Sequence, residues 1–347
     1  MSDIEEELRA TFARHESLAP EVAQVRARID LAWVRAKRRR LARRIAGATA
    51  VVLMTGAAMP VVLEQWRHGG PPPVPLADAQ APAPTPTPAG PIDVLLLGSD
   101  NRLRWENPAE QHADTVMMIH VPADRSRTYL ISLPRDGEVK LPGGQQAKLT
   151  ETLYHGGPEL TEQIVSELTG VDFDARVTVD LRALRVVTAA VGGVDMCLPQ
   201  PVRSLSTGKK FPKGCLHVGA DDVSPLLQAR YDYKHGSYDR DRTTQRFLRS
   251  LAGKLTGNGT LSDPARLQAL VRAAKDGIDL DGDIAALLAG AASLGSAEVV
   301  GVSEPSFNST AAGRERIYPK VGPALYAAIR GDALEAWVLG NPRFVMK

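Results

Sequence analysis

Acidic and basic side chains follow one another closely where predicted strands end. The stretch DVLLLGSDNR, at residues 93–102, runs four apolar residues into a glycine and then presents Asp100 and Arg102. HADT, at 112–115, opens the second strand-like run, and PRD follows the third and supplies Arg135. Arginine forks match the geometry of phosphate oxygens, whereas carboxylates repel phosphate unless a cation lies between them. Together these residues predict a site for an oxyanion-rich substrate that is held with a divalent metal.

Each of these groups also has an ordinary interpretation. An Asp–Arg pair in a loop is commonly a surface salt bridge that contributes little stability. PRD after a strand is a frequent turn sequence. Further along, Lys148, Arg230 and the run YDRDRTTQR at 238–246 add charges, and the helical spacing of that run also fits a plain ion-pair ladder. The site prediction therefore rests on the joint occurrence of the groups.

Alternating apolar runs predict the elements that would position these side chains. Strand-like runs rich in Val, Ile and Leu lie at 92–97, 115–121, 128–133, 176–180 and 194–198, with a late strand at 296–302. Helical runs lie at 158–170, 181–193, 224–230, 239–255, 264–275 and 284–294. This alternation predicts an α/β fold, in which a central mixed sheet carries helices on both faces. In such sheets, ligands bind beyond the strand ends.

The N-terminal part of the sequence predicts a membrane anchor. KRRRLARR at 37–44 holds six basic residues and is followed by the nineteen uncharged residues 45–63. A helix of that length covers roughly 28 Å, close to the hydrocarbon thickness of a bilayer. A cleaved signal peptide is the alternative, but its basic region would then follow 36 extra residues. Because basic residues stay inside, we expect residues 1–44 in the cytoplasm and everything after residue 63 outside.

The other segments differ in composition. Residues 1–44 predict helices, which either dock a cytoplasmic protein partner or simply lead to the membrane. Residues 64–91 predict an extended stalk, because 67–91 carries nine of the 25 prolines. Residues 92–347 are long enough for one extracellular domain. A net charge of +2, from 42 Lys and Arg against 40 Asp and Glu, argues against a general nucleic-acid binder.

The two cysteines, Cys197 and Cys215, lie in the predicted extracytoplasmic part with seventeen residues between them. An oxidising compartment favours a disulfide, which would contribute about 3 kcal/mol for a loop of this size. Two unrelated buried thiols are the alternative. A metal site is disfavoured, because no further Cys and no suitably spaced His pair accompanies the two cysteines.

Six strings of this sequence stand in the same register as in a known family: LLLGSDNR, ADTVMMIHVPADRSRTYLISLPRD, LPGGQQAKL, LTGVDFDARVTVDLRALRVVTAAVGGVDMCLP, FPKGCLHVGADD and YDRDR. Through them, residues 92–255 resemble the LytR-CpsA-Psr (LCP) family, membrane-anchored enzymes of Gram-positive and actinobacterial cell-wall assembly. The single anchor and the proline-rich stalk fit the usual layout of that family. Many actinobacterial members also carry a cysteine pair at this place.

The resemblance implies a phosphotransferase. Members take a glycopolymer from a polyprenyl pyrophosphate carrier and transfer it, with one phosphate, to a peptidoglycan sugar hydroxyl. Polyprenyl phosphate is released, and Mg²⁺ or Mn²⁺ assists; attack by water in place of the sugar would give pyrophosphatase activity. By position, Asp100 and Asp114 attend the metal and are catalytic together with Arg135, while the pyrophosphate is held by Arg102, His112, Lys148, Arg230, Arg240, Arg242 and Gln245.

Four positions depart from the usual pattern of the family. His112 and Asp232 stand where arginines are common, Thr150 where asparagine is common, and Thr244 where glutamine is common. The two replaced arginines weaken the predicted anion clamp, although His112 can still donate a hydrogen bond to phosphate. Two other functions therefore stay open: a diverged, non-catalytic binder of lipid-linked wall precursors, and a membrane-bound regulator that acts through residues 1–44.

Overall fold

The computed structural model describes residues 90–99, 111–229, 233, 235–308 and 313–346. The predicted leader, membrane segment and stalk up to residue 89 lie outside the described residues, and so do Asp100, Arg102 and Arg230. Within the described ranges, no helix is both long and apolar enough to cross a membrane. The predictions of an anchor, its orientation and the domain boundaries therefore stay predictions.

Strands and helices alternate along the described chain. The strands are β1 (Ile92–Ser99), β2 (Ala113–Val121), β3 (Arg127–Leu133), β4 (Glu138–Lys140), β5 (Gln146–Lys148), β6 (Ala175–Asp180), β7 (Val194–Leu198), β8 (Val202–Arg203), β9 (Lys210–Phe211), β10 (Gly214–Val218), β11 (Ile278–Gly282), β12 (Glu298–Ser303), β13 (Ser306–Asn308) and β14 (Glu315–Ile317). The α-helices are α1 (Thr152–Thr169), α2 (Leu181–Ala190), α3 (Ala220–Leu227), α4 (Ser237–Gly257), α5 (Pro264–Ala274), α6 (Ile284–Ser296), α7 (Val321–Arg330) and α8 (Leu334–Gly340).

A mixed six-stranded sheet organises the fold, in the strand order β11-β6-β1-β2-β3-β12. Strand β1 pairs antiparallel with β2 and parallel with β6. Strand β3 pairs antiparallel with β2 and parallel with β12. The carboxyl ends of β1, β3, β6 and β12 and the amino end of β2 therefore lie at one edge of the sheet. The predicted α/β fold with a central mixed sheet is confirmed.

Both faces of the sheet are buried, which explains why its central strands read as nearly continuous apolar runs. Leu95 and Met118 belong to a core that also contains Val165 of α1 and Trp337 of α8. On the other face, Leu96, Met117 and Leu130 pack with Ala252 of α4 and Leu294 of α6. The predicted placement of helices on both faces is thus observed.

Helix α1 shows how local sequence sets element boundaries. Gly156 and Gly157 have non-helical dihedrals inside α1, and Pro158 begins the regular segment after this kink. Gly170 ends the helix with φ 70° and ψ 15°, a left-handed conformation that glycine adopts at little cost. The helix predicted for 158–170 is therefore present, and one kinked turn precedes it.

The cysteines lie outside the central sheet. Strands β7 and β10 form an antiparallel pair in which Cys197 and Cys215 are direct partners, and the two cysteines are joined by a disulfide. The disulfide prediction is confirmed, and the alternative of two unrelated thiols is wrong. The bond joins the two strands one residue pair from the end formed by Leu198 and Gly214.

Candidate active site at the carboxyl edge of the sheet

An ion pair lies at the edge of the sheet where the prediction placed the site. Asp114, near the start of β2, contacts Arg135, two residues beyond β3, through its Oδ1 and the arginine Nη1. Their side chains are only 17% and 16% exposed, respectively. Because partial burial weakens screening by water, the two charges interact more strongly than an exposed pair would.

Arg240, in the first turns of α4, approaches the same place from the helical layer. It is 3% exposed, and its Nη2 donates hydrogen bonds to the Asp114 carbonyl at 3.0 Å and to Asp241 Oδ1 at 3.2 Å. Within the described part of the chain, Arg240 Nε is buried and has no hydrogen-bond acceptor. The structure thus brings Asp114, Arg135 and Arg240 together, with an unused buried donor on the last of them.

Asp241 is a site residue that the sequence did not reveal. Burial raises its pKa to about 6, the repulsion from Glu315 adds to the rise, and the neighbouring Arg240 opposes it. It accepts a hydrogen bond from Arg240 Nη2, the same nitrogen that donates to the Asp114 carbonyl. No sequence signal distinguishes Asp241 from an ordinary exposed helix residue.

A second acidic group comes from the C-terminal part of the chain. Tyr238 donates a hydrogen bond to Glu315 Oε2 at 2.5 Å, and Ser306 Oγ lies 3.0 Å from the same oxygen. Glu304, directly after β12, is 5% exposed and accepts a hydrogen bond from Tyr326. Burial, with a smaller contribution from Glu315, raises the pKa of Glu304 to about 8. These residues were missed because the predicted site ended with α4.

Other predicted residues lie around this centre. Lys148 pairs with Asp136 at 2.9 Å. The Thr150 amide donates to the Arg135 carbonyl at 2.8 Å, which holds the backbone of the arginine. The His112 ring stacks on Tyr154, with a centroid distance of 6.5 Å and an interplanar angle of 8°.

Two predicted ligands of the pyrophosphate lie elsewhere. The Gln245 side chain is 1% exposed, and its Nε2 lies 3.0 Å from the Leu130 carbonyl and 3.2 Å from the Val302 carbonyl. It bridges β3 and β12 inside the sheet layer. Arg242 pairs with Asp239 at 3.0 Å on a different face of α4 from Arg240. The structure therefore does not group Gln245 and Arg242 with Asp114.

A narrow cavity of about 50 Å³ connects the charged centre to apolar residues. We call it the edge cavity. Its polar lining consists of Ser99, Asp114, Thr115, Asp180, Gln228, Arg240 and Thr244. The apolar part is lined by Leu96, Val179, Leu181, Leu184, Leu227 and Leu248, which come from the sheet and from helices α2, α3 and α4. Gly98 also lines the cavity, and a Cβ there would lie 2.9 Å from the Thr115 Cβ, so only glycine allows this close strand contact.

The described residues supply one predicted metal ligand. Asp114 offers the carboxylate oxygens that Mg²⁺ and Mn²⁺ accept, and one of these oxygens already contacts Arg135. The second predicted ligand, Asp100, lies outside the described residues. No group of three or more His, Cys, Asp or Glu side chains within the described ranges is arranged to hold a metal ion.

Fold and site define a class of protein: an α/β domain with an arginine-rich charged site at the carboxyl edge of a mixed sheet. A sequence model of the LytR_cpsA_psr family matches residues 76–321. The chain belongs to the LytR_cpsA_psr family. The match continues beyond residue 255, where the resemblance was expected to end, and so includes Glu304 and Glu315.

Individual relatives agree with this assignment. The chain is 30% identical to the cell wall biosynthesis protein LcpA of Corynebacterium glutamicum over 233 residues, which is 55% of this chain and 45% of LcpA. It is 23% identical over 173 residues to the Bacillus mycoides TagU, named a polyisoprenyl-teichoic acid–peptidoglycan teichoic acid transferase, covering 50% of this chain and 55% of TagU. The chain thus spans about half the length of the curated relatives it matches.

A solved Streptococcus agalactiae structure has the same fold, with a TM-score of 0.61 at 18% identity over 70% of this chain and 88% of that one.

Proposed function

We propose that the protein is a phosphotransferase that moves a glycopolymer with one phosphate from a polyprenyl pyrophosphate carrier to a peptidoglycan sugar hydroxyl, releasing polyprenyl phosphate. The edge cavity carries this proposal, because the charged Asp114 and Arg240 line it together with several leucines. A polyprenyl pyrophosphate has the same two-part chemistry, an anionic head on a hydrocarbon chain. At about 50 Å³ the cavity must widen to admit that chain.

The roles of the residues follow from charge. Phosphoryl transfer needs little covalent chemistry from the protein, so positioning and charge stabilisation supply most of the rate. Arg135 and Arg240 would neutralise the pyrophosphate, and the buried Arg240 Nε has a donor to offer. Asp241 would act as a positioning residue, since it fixes Arg240.

A divalent metal, Mg²⁺ or Mn²⁺, belongs to the proposal, with Asp114 and Asp100 as its ligands. When bound, it would neutralise charge on the phosphate oxygens. Asp114 or Asp100 would also accept the proton of the attacking sugar hydroxyl.

The names of two relatives support the proposed substrates. That of TagU names a polyisoprenyl-linked teichoic acid and peptidoglycan, and that of LcpA names cell wall biosynthesis. We infer the same chemistry for this chain, at the outer face of the cytoplasmic membrane, with residues 45–63 as a single anchor and the N-terminus inside.

The test is a transfer assay on the full-length protein. A polyprenyl-pyrophosphoryl sugar, a peptidoglycan fragment and Mg²⁺ are supplied, and released polyprenyl phosphate and sugar-linked fragment are measured. Arg135→Gln and Arg240→Gln should each lower the rate by about 10²-fold or more, the usual effect of losing one charge-stabilising donor. Arg249→Gln is the matched control, because Arg249 is exposed on the same helix as Arg240.

Binding of the carrier without release of polyprenyl phosphate at any metal concentration would reject the transferase. In that case the protein is a binder of lipid-linked precursors. Release of polyprenyl phosphate without joined product would identify a pyrophosphatase instead.

A further inference from the structure

A second cavity lies on another face of α4. Its volume is about 510 Å³, inside the range of roughly 300–1,000 Å³ typical of small-molecule sites. Arg240, Thr244 and Leu248 follow each other at i, i+4 and i+8 and face the edge cavity. The second cavity is lined by a different set from α4, Asp239, Arg242, Thr243 and Arg246, together with Leu198, Pro199, Gln200, Val202, Tyr233, His235, Pro342, Arg343 and Val345. We call it the arginine pocket.

Positive charge predominates in the arginine pocket. Three guanidinium groups, those of Arg242, Arg246 and Arg343, face one carboxylate, that of Asp239. Both oxygens of the Asp239 carboxylate already accept hydrogen bonds. Oδ1 accepts one from Arg242 Nη1 at 3.0 Å, and Oδ2 accepts one from the His235 backbone amide at 3.0 Å and one from Gln200 Nε2 at 3.1 Å. Within the described lining, guanidinium groups therefore outnumber carboxylates by three to one.

The positions of Arg242 and Arg246 are electrostatically unfavourable. Burial, and then repulsion from Arg242, lowers the pKa of Arg246, which shows that two like charges are kept close together in a half-buried place. Within the described residues, Arg242 Nε is buried without an acceptor. A buried guanidinium donor without an acceptor is unfavourable unless a ligand supplies one.

Arg343 is the third arginine of the arginine pocket and comes from the C-terminal part of the chain. Its guanidinium carbon lies 4.5 Å from the centre of the Phe344 ring and 5.8 Å from that of Tyr318. Stacking uses the flat face of a guanidinium and leaves the donors at its edge available. Among the described carboxylates, none lies within ion-pair distance of Arg343.

We propose that the arginine pocket binds the phosphate group of an anionic ligand, either inorganic phosphate or a phosphate carried on a sugar. Arginine forks donate paired hydrogen bonds to phosphate oxygens, and three of them around one cavity supply both the charge and the donors that phosphate requires. The pocket shares no lining residue with the edge cavity. The proposal is therefore independent of the proposed transferase function.

Isothermal titration of the full-length protein with inorganic phosphate tests the proposal, with glucose 1-phosphate as a second arm at the same ionic strength. Because the edge cavity can also hold phosphate, both arms are run in an Arg135→Gln background as well as in the wild type. Arg246→Gln and Arg343→Gln should each weaken phosphate binding in that background by about tenfold. Arg249→Gln, on the exposed side of the same helix, should leave the affinity unchanged.

The two arms separate the sources of the phosphate. Tighter binding of glucose 1-phosphate than of inorganic phosphate would show that the ligand is a sugar phosphate, whereas equal or weaker binding would show a site for phosphate itself. Arg343 is exposed, so Arg343→Gln decides the question even where Arg246→Gln does not fold. The proposal would be overturned if Arg246→Gln and Arg343→Gln both bound phosphate within about twofold of the Arg135→Gln parent. It would also be overturned if Arg135→Gln alone abolished all phosphate binding.

Discussion

At the scale of single residues, the candidate site depends on charges that hold one another in place. Arg135 contacts the side chain of Asp114, and Arg240 contacts its backbone carbonyl. Asp241 accepts a hydrogen bond from the same nitrogen of Arg240. Positioned charges of this kind need no rearrangement when a phosphate arrives, and this preorganisation is a main source of catalysis by electrostatics.

The Asp114–Arg135 contact can be measured by a double-mutant cycle. Because both side chains are mostly buried, Asp114→Asn and Arg135→Gln should each lower the free energy of unfolding by about 1–3 kcal/mol, and the double variant should cost less than their sum. Urea denaturation of the full-length protein gives these values. The exposed pair Arg185–Asp221 is the matched control, and its coupling should lie near zero. Additive costs at Asp114 and Arg135 would contradict the described pair.

Glu304 predicts a pH dependence of stability. Its pKa rises from 4.5 to about 8 in the folded protein, so the folded state keeps a proton that the unfolded state has lost. The contribution of Glu304 to the free energy of unfolding is therefore fully present below about pH 4.5, and it is lost as the pH rises to about 8. Glu304→Gln keeps an acceptor for Tyr326 and should flatten this part of the profile. An unchanged slope, equal to that of the exposed control Glu167→Gln, would disprove the assignment.

At the scale of elements, the sheet is held by buried charges as well as by its apolar core. His120 of β2 is fully buried and is held by Asp93 of β1 at 2.8 Å and by Asp332, between α7 and α8, at 3.0 Å. The Tyr129 ring of β3 lies beside it, 6.2 Å away between ring centres. One imidazole thereby joins three strands to the C-terminal helices.

The contacts of His120 with Asp93 and Asp332 predict a second pH dependence of stability. Burial lowers the pKa of His120, but the hydrogen bonds and charges of Asp93 and Asp332 outweigh it, and the net shift is upward from 6.5. The protonated histidine therefore stabilises the fold fully below about pH 6.5, and this stability is lost as the pH rises through the folded pKa. His120→Gln should remove the loss, as followed by thermal unfolding from pH 5 to about 9. A histidine variant with the wild-type pH profile would show that another group titrates.

Sequence patterns predicted the strands that are buried on both faces of the sheet. The runs at 92–97, 115–121 and 128–133 became β1, β2 and β3 because almost every residue in them is buried. Strand β11 was not predicted, because its sequence IDLDG carries two acids and resembles a loop. Both acids of β11 form salt bridges with Arg176 of β6, whose Nη2 lies 3.5 Å from Asp279 and 3.9 Å from Asp281. Such a distant partner leaves no local pattern.

The site was predicted in the same uneven way. Asp114 and Arg135 were predicted from their places beside recognisable strands and Arg240 from its place at the start of a recognisable helix, and the structure brings the three together. Glu304 and Glu315 were not predicted, because only long-range packing brings the chain after residue 300 back to α4. Asp241 was not predicted either, because its burial does not follow from the local sequence. Gln245 was placed at the substrate by position in a motif, although helical geometry turns it into the sheet layer.

At the scale of the whole molecule, the edge cavity links the charged edge of the sheet to the space between sheet and helices. Its lining comes from strands β1, β2 and β6 and from helices α2, α3 and α4. An amphiphilic carrier could place its head at Asp114 and Arg240 and its chain between the helices. The arginine pocket lies on another face of α4, so one helix serves both cavities.

A larger side chain in the apolar part should separate carriers by length. Leu227 is 8% exposed and lines the edge cavity, so Leu227→Trp should raise the KM for a long polyprenyl carrier several-fold more than for a short one. Steady-state kinetics with two chain lengths measure this ratio. Leu205→Trp is the control, because Leu205 is 51% exposed. Equal effects on both carriers would place the chain elsewhere.

The most direct test is a crystal structure of the protein with Mg²⁺ and a short polyprenyl pyrophosphate. We expect the pyrophosphate against Arg135 and Arg240, the metal at Asp114, and the hydrocarbon chain between Leu184, Leu227 and Leu248. Pyrophosphate bound in the arginine pocket alone, or a hydrocarbon chain outside the edge cavity, would contradict this expectation.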